Sequence, residues 1–495
     1  MMISEIIYRD ELKNYNLNFD LINLSDFKVT GINYDSRKVN KGNIFFAIKG
    51  FKEDGSSYIK DAVDSGAGLI FTDSENKFNF ETPVIKVSSI RKLMATVSGI
   101  FYNDPSSRLK LVGITGTNGK TTTAYLTRYL FEKAGYKSGL IGTIGYQTGE
   151  RNSESKLTTP DSVEMNIMLD EMVRSGMDFC VMEVSSIALV MDRVYGLKFD
   201  TGVFTNLTSE HLDFHANMEN YFEAKKILFD GLGNDKTAIS NSDDEYGRKI
   251  LNDTRAGKFY YSVNTESDLR SFNEKLSLSG LEFDVKWNGK TYRLRSNLAG
   301  RFNIYNILAS VSTALRYDID MEQIQKSLMS FKEVDGRYNR IMLPNGAVAV
   351  IDYSHTSDSL KKAIETSREI VNEEKKNARV ITVFGCGGNR DKTKRPVMGG
   401  YATELSDHVI ITSDNPRSEE PMEIIKEIIT GIKSDKAYDI EVNREEAIKK
   451  GIEISKEGDI VLICGKGHET YQEVNGVRSH FDDKEMVKKY SVNAK

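Results

Sequence analysis

Short apolar runs alternate with longer segments of mixed polarity along most of the chain. The runs at 111–112, 179–182 and 202–205 consist almost entirely of apolar or small residues, which is typical of parallel strands that are buried on both faces. The segments between such runs, for example 161–174, are helix-like. This alternation of strand and helix predicts a doubly wound α/β domain.

The same alternation continues on both sides of this region. The first hundred residues combine helices with short strands and end in a linker-like segment at 103–107. The last 150 or so contain four apolar strands, at 347–351, 380–384, 408–412 and 459–463, each followed by a polar loop rich in Gly, Arg, Asp or His. We therefore predict three domains: a small N-terminal α/β domain (1–108), a central P-loop-type ATPase domain (109–340) and a C-terminal Rossmann-like domain (341–495).

A glycine-rich turn, Gly113-Ile114-Thr115-Gly116-Thr117-Asn118-Gly119-Lys120-Thr121-Thr122, joins a strand to a helix-like run at 123–134. Small residues let backbone N–H groups close on phosphates, and the helix directs its positive end at them. Lys120 is expected on the β- and γ-phosphates, and the Thr121 hydroxyl on Mg²⁺. Ile114 stands where a strict Walker A motif has glycine, so the match is to the narrower Thr-Gly-Thr-x-Gly-Lys-Thr variant.

Glu183 follows the apolar run 179–182 directly. A carboxylate at the carboxyl end of a buried parallel strand lies where open α/β sheets bind ligands, and beside a phosphate loop it is a candidate Mg²⁺ ligand. The loop after 202–205 carries two of the six histidines, His211 and His215, and histidines near a nucleotide metal can be ligands. By composition alone, Lys225 and its neighbour Lys226 are solvated helix lysines.

Composition narrows the class of protein. Of 495 residues, 67 are basic and 72 acidic, giving a net charge of −5, which provides no electrostatic case for nucleic acid or an anionic membrane as partner. No apolar run approaches the roughly 20 residues that span a bilayer, and the N-terminal stretch lacks the apolar core of a signal peptide. We predict a cytoplasmic protein whose three cysteines are buried and reduced.

Several motifs occur together in this chain. They are the phosphate loop, Thr158-Thr159-Pro160, Met182-Glu183-Val184-Ser185-Ser186, the loop 206–215, and Asp414-Asn415-Pro416-Arg417. In this combination the chain resembles the Mur ligases, the ATP-dependent amide-forming ligases of peptidoglycan precursor synthesis, over essentially its whole length. The resemblance implies that the first domain binds the UDP part of the substrate, the second ATP and the third the incoming amino acid.

The resemblance also assigns residues. The implied ATP contacts are Gly116, Thr117, Asn118, Gly119, Lys120, Thr121, Thr122, Asn306, Arg337 and Asp352. The implied contacts of the UDP-MurNAc-dipeptide are Ser36 (with Arg37), Thr158, Thr159, Ser185 and Arg193. The implied contacts of the amino acid are Arg390, Asp414, Asn415, Pro416, Arg417, Gly465 and Glu469. The implied catalytic residues and metal ligands are Lys120, Thr121, Glu183, His211 and Lys225.

Lys225 gains most from the resemblance, because it matches a lysine that the family carbamylates with CO₂. A partly buried lysine loses its proton more easily, and the neutral amine can add CO₂ to give an anionic ligand for a second Mg²⁺. The implied reaction phosphorylates the γ-carboxylate of D-Glu in UDP-MurNAc-L-Ala-D-Glu, and the amine of a free amino acid then displaces phosphate from the acyl phosphate. A monomer without nucleic-acid or membrane partners is expected.

The tetrapeptide ending in Arg417 looks like the form that binds meso-diaminopimelate, because a guanidinium can bind its second carboxylate bidentately. L-lysine or a related diamino acid such as lanthionine remains an alternative substrate. The sequence departs from the family pattern at Ile187, Met191 and Glu210, and at Ser354 and Ser357. Outside this reaction, the rivals are related ligases acting on other acceptors, a P-loop phosphotransferase and a non-catalytic nucleotide-binding protein.

Overall fold

The computed structural model describes residues 1–15, 17, 26–50, 53–374, 377–433 and 435–491. Three main sheets follow one another along the chain, each built largely from parallel strands with helices packed against it. The prediction of an α/β chain with a doubly wound centre is confirmed. No helix in these ranges is long and apolar enough to cross a membrane.

The N-terminal sheet has four parallel strands in the order β1-β2-β3-β4. Its strands are β1 (Gly31–Asn33), β2 (Asn43–Ala47), β3 (Leu69–Thr72) and β4 (Val84–Lys86), and its helices are α1 (Ile3–Ile7), α2 (Ile59–Asp64) and α3 (Ile90–Phe101). β2 and β3 are buried along their whole length, and Phe46 stacks on Phe71 between them with ring centroids 5.2 Å apart. Apolar strands at 43–48, 68–71 and 83–87 are the ones that the sequence predicts here.

The central sheet has eleven strands in the order β15-β14-β13-β12-β11-β10-β5-β9-β6-β7-β8. They are β5 (Lys110–Thr115), β6 (Ser138–Ile141), β7 (Gly145–Gln147), β8 (Asn152–Glu154), β9 (Phe179–Glu183), β10 (Phe199–Phe204), β11 (Thr237–Asn241), β12 (Gly257–Ser262), β13 (Leu269–Ser277), β14 (Gly280–Trp287) and β15 (Lys290–Ser296). Its helices are α4 (Lys120–Lys133), α5 (Ser162–Arg174), α6 (Ser186–Val190), α7 (Leu212–His215), α8 (Met218–Asp230), α9 (Phe302–Leu315) and α10 (Met321–Ser330).

The middle of this sheet is parallel, whereas both ends are antiparallel. The sequence Trp287-Asn288-Gly289-Lys290 predicts a hairpin turn between two strands, and β14 and β15 form it. The antiparallel strands β7 and β8 are not predicted. Helix α4 begins at Lys120 rather than at Thr123, because the turn from Gly116 to Gly119 leads directly into the first helical residue. The three terminal residues of the phosphate loop therefore form the first turn of the helix.

The C-terminal sheet has six strands in the order β16-β17-β21-β18-β19-β20. The strands of this domain are β16 (Asn339–Met342), β17 (Val348–Asp352), β18 (Val380–Phe384), β19 (His408–Ile411), β20 (Asp439–Ile440), β21 (Ile460–Cys464), and a separate hairpin of β22 (Tyr471–Val474) and β23 (Val477–His480). Its helices are α11 (Ser357–Glu374), α12 (Lys394–Leu405), α13 (Pro421–Ile429), α14 (Arg444–Glu453) and α15 (Asp483–Ser491). The predicted boundary at residue 340 falls inside β16, which pairs antiparallel with β17.

All three cysteines, Cys180, Cys386 and Cys464, are buried and free. Cys180 lies within β9, Cys464 ends β21, and Cys386 follows β18. Burial raises the pKa of the Cys180 thiol to about 12 and that of Cys386 to about 12. The expectation of buried reduced thiols is confirmed.

Candidate functional site

The phosphate loop leaves β5 at Thr115 and passes through two glycines with positive φ, Gly116 at 151° and Gly119 at 86°. A Cβ on Gly116 would lie 1.9 Å from Thr205 Oγ1, and one on Gly119 would lie 2.3 Å from Asn306 Oδ1. Both positions therefore exclude a side chain for steric as well as conformational reasons. The loop is thereby held against β10 on one side and α9 on the other.

Lys120 turns back over the loop that precedes it. Its ammonium donates to the carbonyl oxygens of Gly116 at 2.8 Å and of Thr117 at 2.7 Å. The Lys120 ammonium thus lies against the phosphate loop, where phosphates are expected from the sequence.

Thr121 and Glu183 meet at the end of the phosphate loop. The Thr121 hydroxyl donates to Glu183 Oε2 at 3.0 Å, and the backbone N–H of Thr143 donates to Oε1 at 2.8 Å. Glu183 is fully buried, and within the described ranges no ion pair joins it to a basic side chain. A buried carboxylate without a cation is costly, so this hydroxyl–carboxylate pair fits Mg²⁺, which prefers oxygen ligands.

Arg337 joins this cluster from the start of the C-terminal domain. Its Nη2 donates to Thr121 Oγ1 at 3.2 Å, and its guanidinium lies over the ring of Tyr353, 4.6 Å from the centroid. Asp352 lies beside them and accepts from the backbone of Tyr338 at 2.8 Å. Burial raises the pKa of the Asp352 carboxyl above its usual value, although the Ser354 hydroxyl and Arg337 oppose the shift.

A second cluster forms around Glu210. Its carboxylate lies 3.8 Å from Nε2 of His211 and 3.8 Å from Nε2 of His355, which belongs to the C-terminal domain. Burial acts to raise the pKa of Glu210, but the nearby positive charges of His211 and Lys120 outweigh it, and the pKa is lowered. Burial lowers the pKa of His211, which favours the neutral imidazole that a metal ligand requires.

Lys225 lies under the phosphate loop on α8, with 1% of its surface exposed. Its Nζ donates to Gly116 O at 3.0 Å and lies 4.5 Å from the ring centroid of Tyr221. Burial and the charge of Lys120 hold the pKa of Lys225 well below its usual value. The composition-based reading of Lys225 as a solvated lysine is therefore wrong, because α8 turns this side chain inwards.

Lys226, the next residue, is also buried, with 8% of its surface exposed, so the same reading is wrong for it, but its surroundings differ. It forms ion pairs with Asp230 and Asp253, each at 2.7 Å. Burial opposes protonation, but these two carboxylates outweigh it and raise the pKa of Lys226. The structure thus separates two adjacent lysines that the sequence leaves equivalent.

Residues expected to hold the UDP-MurNAc-dipeptide form a third group beside Glu183. The Thr159 hydroxyl donates to Glu183 O at 2.9 Å and accepts from the Ser185 backbone at 3.0 Å. Arg193 donates to Thr159 O at 3.1 Å, and the hydroxyls of Thr158 and Thr143 are 3.1 Å apart. The four central-domain residues of this set therefore lie in one connected region next to the phosphate loop.

Ser36 and Arg37 lie in a turn of the N-terminal domain. The Arg37 guanidinium binds Asp35 through bonds of 2.8 and 2.9 Å and is exposed. Within the described residues, no hydrogen bond joins this turn to the Thr159 group. Contact between the two domains is made nearby by the Tyr34 hydroxyl, which donates to Glu164 at 2.8 and 2.9 Å.

The residues expected to bind the amino acid follow β19 and β21. The side chain of Asn415 is fully oriented, because its Oδ1 accepts from Lys466 Nζ at 3.2 Å and its Nδ2 donates to Glu469 Oε2 at 2.7 Å. Burial raises the pKa of Glu469, and the neighbouring charge of Asp414 adds to the shift. Asp414 is buried, but within the described ranges its carboxylate accepts no hydrogen bond.

Arg417 is held through its backbone and forms no ion pair with a carboxylate of the described residues. Its N–H donates to Glu473 O at 3.0 Å and its carbonyl accepts from Asn475 at 2.6 Å, both on the β22–β23 hairpin. Its Nη1 donates to Gly388 O at 2.8 Å, and no carboxylate among the described residues pairs with it. Arg390 is exposed and has no partner in the same ranges. Pro416 and Gly465 complete the two loops, with Gly465 at a φ of 121°.

Several residues of this region are not predicted from the sequence. Glu210 is notable there only as a departure from the family pattern, and His355, Lys466 and Tyr353 are not among the predicted site residues. Tyr353 and Lys466 lie in loops that the sequence analysis did single out, directly after strands β17 and β21. The position of a polar residue after a parallel strand is therefore the signal that could have selected them.

Three family models match successive parts of the chain: the Mur ligase family catalytic domain at residues 28–104, the Mur ligase middle domain at 114–314, and the Mur ligase glutamate ligase domain at 336–467. The chain is 45% identical over 466 residues to UDP-N-acetylmuramoyl-L-alanyl-D-glutamate–2,6-diaminopimelate ligase 1 of Clostridium acetobutylicum, covering 94% of this chain and 95% of that protein. It is 41% identical to the diaminopimelate ligase of Cytophaga hutchinsonii, covering 99% and 98%.

Solved structures show the same architecture. A UDP-N-acetylmuramoyl-L-alanyl-D-glutamate–2,6-diaminopimelate ligase aligns with a TM-score of 0.67 at 30% identity, over 94% of each chain. MurF ligase of Thermotoga maritima, in complex with ADP, aligns with a TM-score of 0.64 at 18% identity, over 94% of this chain and 98% of that one. The second likeness bears on the fold alone.

Proposed function

The chain belongs to the Mur ligase family, and from that premise we propose that it joins meso-diaminopimelate to the γ-carboxylate of D-Glu in UDP-MurNAc-L-Ala-D-Glu, with ATP as the energy source. The observation that carries the choice of amino acid is the Arg417 guanidinium, which has no carboxylate partner among the described residues. A second carboxylate is what distinguishes diaminopimelate from lysine, and a guanidinium can bind a carboxylate bidentately. Relatives at 40–45% identity are named as diaminopimelate ligases.

The first step activates the carboxylate. An oxygen of the D-Glu γ-carboxylate attacks the γ-phosphorus of ATP, the bond from that phosphorus to the β-phosphate oxygen breaks, and ADP leaves. When ATP binds, the Lys120 ammonium donates to phosphate oxygens instead of to the carbonyl oxygens of Gly116 and Thr117. Arg337, which lies beside Thr121, adds a second positive charge near the phosphates. Charge stabilisation of this kind is the main contribution an enzyme makes to phosphoryl transfer.

The second step forms the amide. The amine nitrogen of diaminopimelate attacks the acyl carbon, the bond from that carbon to the phosphate oxygen breaks, and phosphate leaves. The amine gives up a proton in the process, and the departing phosphate takes it up and leaves as HPO₄²⁻. Arg417 and Arg390 hold the distal carboxylate, and Glu469, oriented by Asn415, holds the distal ammonium, so that the reacting amine faces the acyl phosphate.

We assign Thr121 and Glu183 to one Mg²⁺, and His211 and a carbamate on Lys225 to a second; when bound, the ions would neutralise charge on the transferring phosphoryl group. The buried pair of Thr121 and Glu183 supports the first assignment. The second is supported by Lys225, whose lowered pKa leaves an amine free to add CO₂. Lys225 also lies close enough to Glu210 for the two charges to affect each other.

Thr158, Thr159, Ser185 and Arg193 are proposed to hold the acyl donor beside Glu183, and Ser36 its nucleotide end. Ile187 and Met191 lie in and just after α6, which Ser185 caps, so this wall of the donor site is less polar than the family pattern implies. We further propose that the protein acts as a monomer in the cytoplasm and serves peptidoglycan synthesis and hence cell growth and division.

The test is amino-acid-dependent phosphate release with the purified protein, ATP, Mg²⁺ and UDP-MurNAc-L-Ala-D-Glu, with the product identified by mass. We expect meso-diaminopimelate to give the highest kcat/KM, with L-lysine and lanthionine at least tenfold lower, about the difference made by one charged hydrogen bond. Equal or better turnover with L-lysine would contradict the proposed specificity for diaminopimelate. Absence of an amide product with every diamino acid would contradict the proposed ligase activity.

A further inference from the structure

Asp358 bridges two domains of the protein. It lies in the first turn of α11, in the C-terminal domain. Its Oδ2 accepts from Asn118 Nδ2 at 2.8 Å and from Thr208 Oγ1 at 3.0 Å, and within α11 from Lys362 Nζ at 2.9 Å. Asn118 belongs to the phosphate loop and Thr208 to the loop after β10, so one carboxylate oxygen joins α11 to two loops of the central domain.

Neither donor side chain is needed to shape its own loop. The backbone of Thr208 is held by Thr117 through bonds of 3.0 and 3.1 Å, and its hydroxyl bonds Asp358 instead. The backbone of Asn118 is held by Asn206 and Thr205. Both side chains are thus left to contact the other domain, and a hydrogen bond to an ionised carboxylate is about twice as strong as a neutral one.

Asp358 is also linked along the chain to the amino-acid site. Five residues separate it from the end of β17 at Asp352, and the first of them, Tyr353, donates its hydroxyl to Glu469 Oε1 at 3.4 Å. The segment therefore contacts the phosphate loop at one end and a residue of the amine site at the other.

We propose that Asp358 is a positioning residue that docks the amino-acid domain on the phosphate loop, so that the amine reaches the acyl phosphate before water does. This inference rests on the proposed ligase function. The two reactants of the amide-forming step are held by different domains, and their atoms must approach to about 3–3.5 Å. If docking is loose, water attacks the acyl phosphate, giving back the carboxylate and releasing phosphate without an amide.

The experiment compares D358A, T208V and the double variant for amide product and for phosphate released. We expect kcat for amide to fall about tenfold or more in D358A and about threefold in T208V, in line with one or two charge-assisted hydrogen bonds, with phosphate exceeding amide. Because the two side chains form one contact, the double variant should be no worse than D358A, a non-additivity that identifies direct coupling. D358N keeps one acceptor oxygen and should be intermediate.

The matched control is E365A. Glu365 is a carboxylate on the same helix that pairs with Lys361 at 3.7 Å, and its removal should leave both the rate and the ratio of phosphate to amide unchanged. A thermal unfolding transition for each variant shows that the variant is folded. If D358A does not fold, T208V tests the same contact, because valine keeps the β-branched shape of threonine. Additive effects in the double variant, or a ratio of phosphate to amide that stays at one in D358A, would overturn the proposal.

Failure of the proposed function can be told apart from failure of this inference. If the wild-type protein makes no amide, the ligase assignment fails, but docking is still measurable by small-angle scattering with ATP present. D358A and T208V should then have a larger radius of gyration than wild type and E365A. Equal radii in all four proteins would overturn the docking role whatever the reaction.

Discussion

Arg417 has a φ of 53°, in the left-handed region that residues other than glycine rarely adopt. Hydrogen bonds from its N–H and to its carbonyl oxygen join it to the β22–β23 hairpin and hold it in this conformation. Such strain costs about 1–3 kcal/mol and persists where the surrounding structure determines it. The consequence is a guanidinium with a fixed origin and no acidic partner among the described residues, which is the arrangement that a ligand carboxylate requires.

We expect Arg417→Ala to raise KM for meso-diaminopimelate by about 10- to 100-fold, from the loss of one or two charge-assisted hydrogen bonds. KM for ATP should change less than threefold by the same reasoning, because ATP is bound by another domain. Steady-state kinetics measures both. Alanine has the same Cβ as arginine, so the backbone strain is unchanged.

The control for Arg417 is Arg478→Ala, on the neighbouring strand β23. Arg478 is 62% exposed and pairs with Glu473 at 3.2 Å, so its loss should leave KM for diaminopimelate unchanged. An Arg417→Ala protein with unaltered KM would show that the guanidinium does not bind the amino acid.

Lys225 and Lys226 give a second prediction at the residue scale. In ¹³C-bicarbonate we expect a carbamate signal by NMR from wild type and from Lys226→Met, but none from Lys225→Met. Because burial lowers the pKa of Lys225 in the folded protein, the neutral amine that adds CO₂ is already present at neutral pH.

The pH dependence of this signal has a definite sign. It should persist well below the usual lysine pKa of about 10.4 and disappear as the pH falls through the lowered pKa and the ammonium forms. Lys226 has its pKa raised by two carboxylates, so it is protonated throughout this range. A signal that survives in Lys225→Met would assign the carbamate to another residue.

At the scale of elements, the conformation of the phosphate loop depends on the side chains that pack against it, such as Asn306 of α9. Gly119→Ala would place a methyl group 2.3 Å from Asn306 Oδ1 at a residue with φ of 86°. Because alanine is strained in the left-handed region, we expect the free energy of unfolding to fall by about 1–2 kcal/mol. Because the methyl group would also displace the loop, we expect KM for ATP to rise at least tenfold.

Gly135→Ala separates these two effects. Gly135 has a comparable φ of 95°, but a Cβ there would meet nothing within 4 Å. Urea unfolding should show a similar loss of stability, whereas KM for ATP should stay at the wild-type value. If Gly119→Ala and Gly135→Ala have equal KM values, then the contact with Asn306 does not shape the ATP site.

At the scale of the whole molecule, the sequence predicts what depends on local patterns. Near-continuous apolar strands with helices between them identify the parallel sheets, and β18 is predicted to the residue at Val380–Phe384. The antiparallel strands β7, β8 and β16 have only three or four residues each, and β8 is exposed throughout, so they lack the apolar run by which a strand is recognised in a sequence. The β22–β23 hairpin that holds Arg417 is also local; its Asn475-Gly476 turn is a signal from which the hairpin could have been predicted.

The candidate site divides in the same way. Residues within a contiguous motif, such as Lys120 and Thr121, can be found from spacing alone. The surroundings of Glu210 and Asp358 depend on which domains are in contact. Lys225 and Lys226 are both buried and differ in their neighbours, because Lys226 pairs with Asp230 and Asp253 whereas Lys225 bonds a backbone carbonyl of the phosphate loop. Contacts between domains and the inward face of a helix are properties of the folded molecule, and a single sequence does not contain them explicitly. The assigned roles of the site residues stay predictions until the kinetics are measured.

The burial of all three cysteines has a practical consequence for studying motion between domains. Burial raises the thiol pKa to about 12 for Cys180 and Cys386 and well above its usual value for Cys464. At neutral pH only a very small fraction of each cysteine is therefore the reactive thiolate. A cysteine introduced on an exposed helix face would therefore be labelled selectively by maleimide without deleting any native one. Fluorophore pairs placed in this way on the central and C-terminal domains could follow their approach during turnover, one molecule at a time.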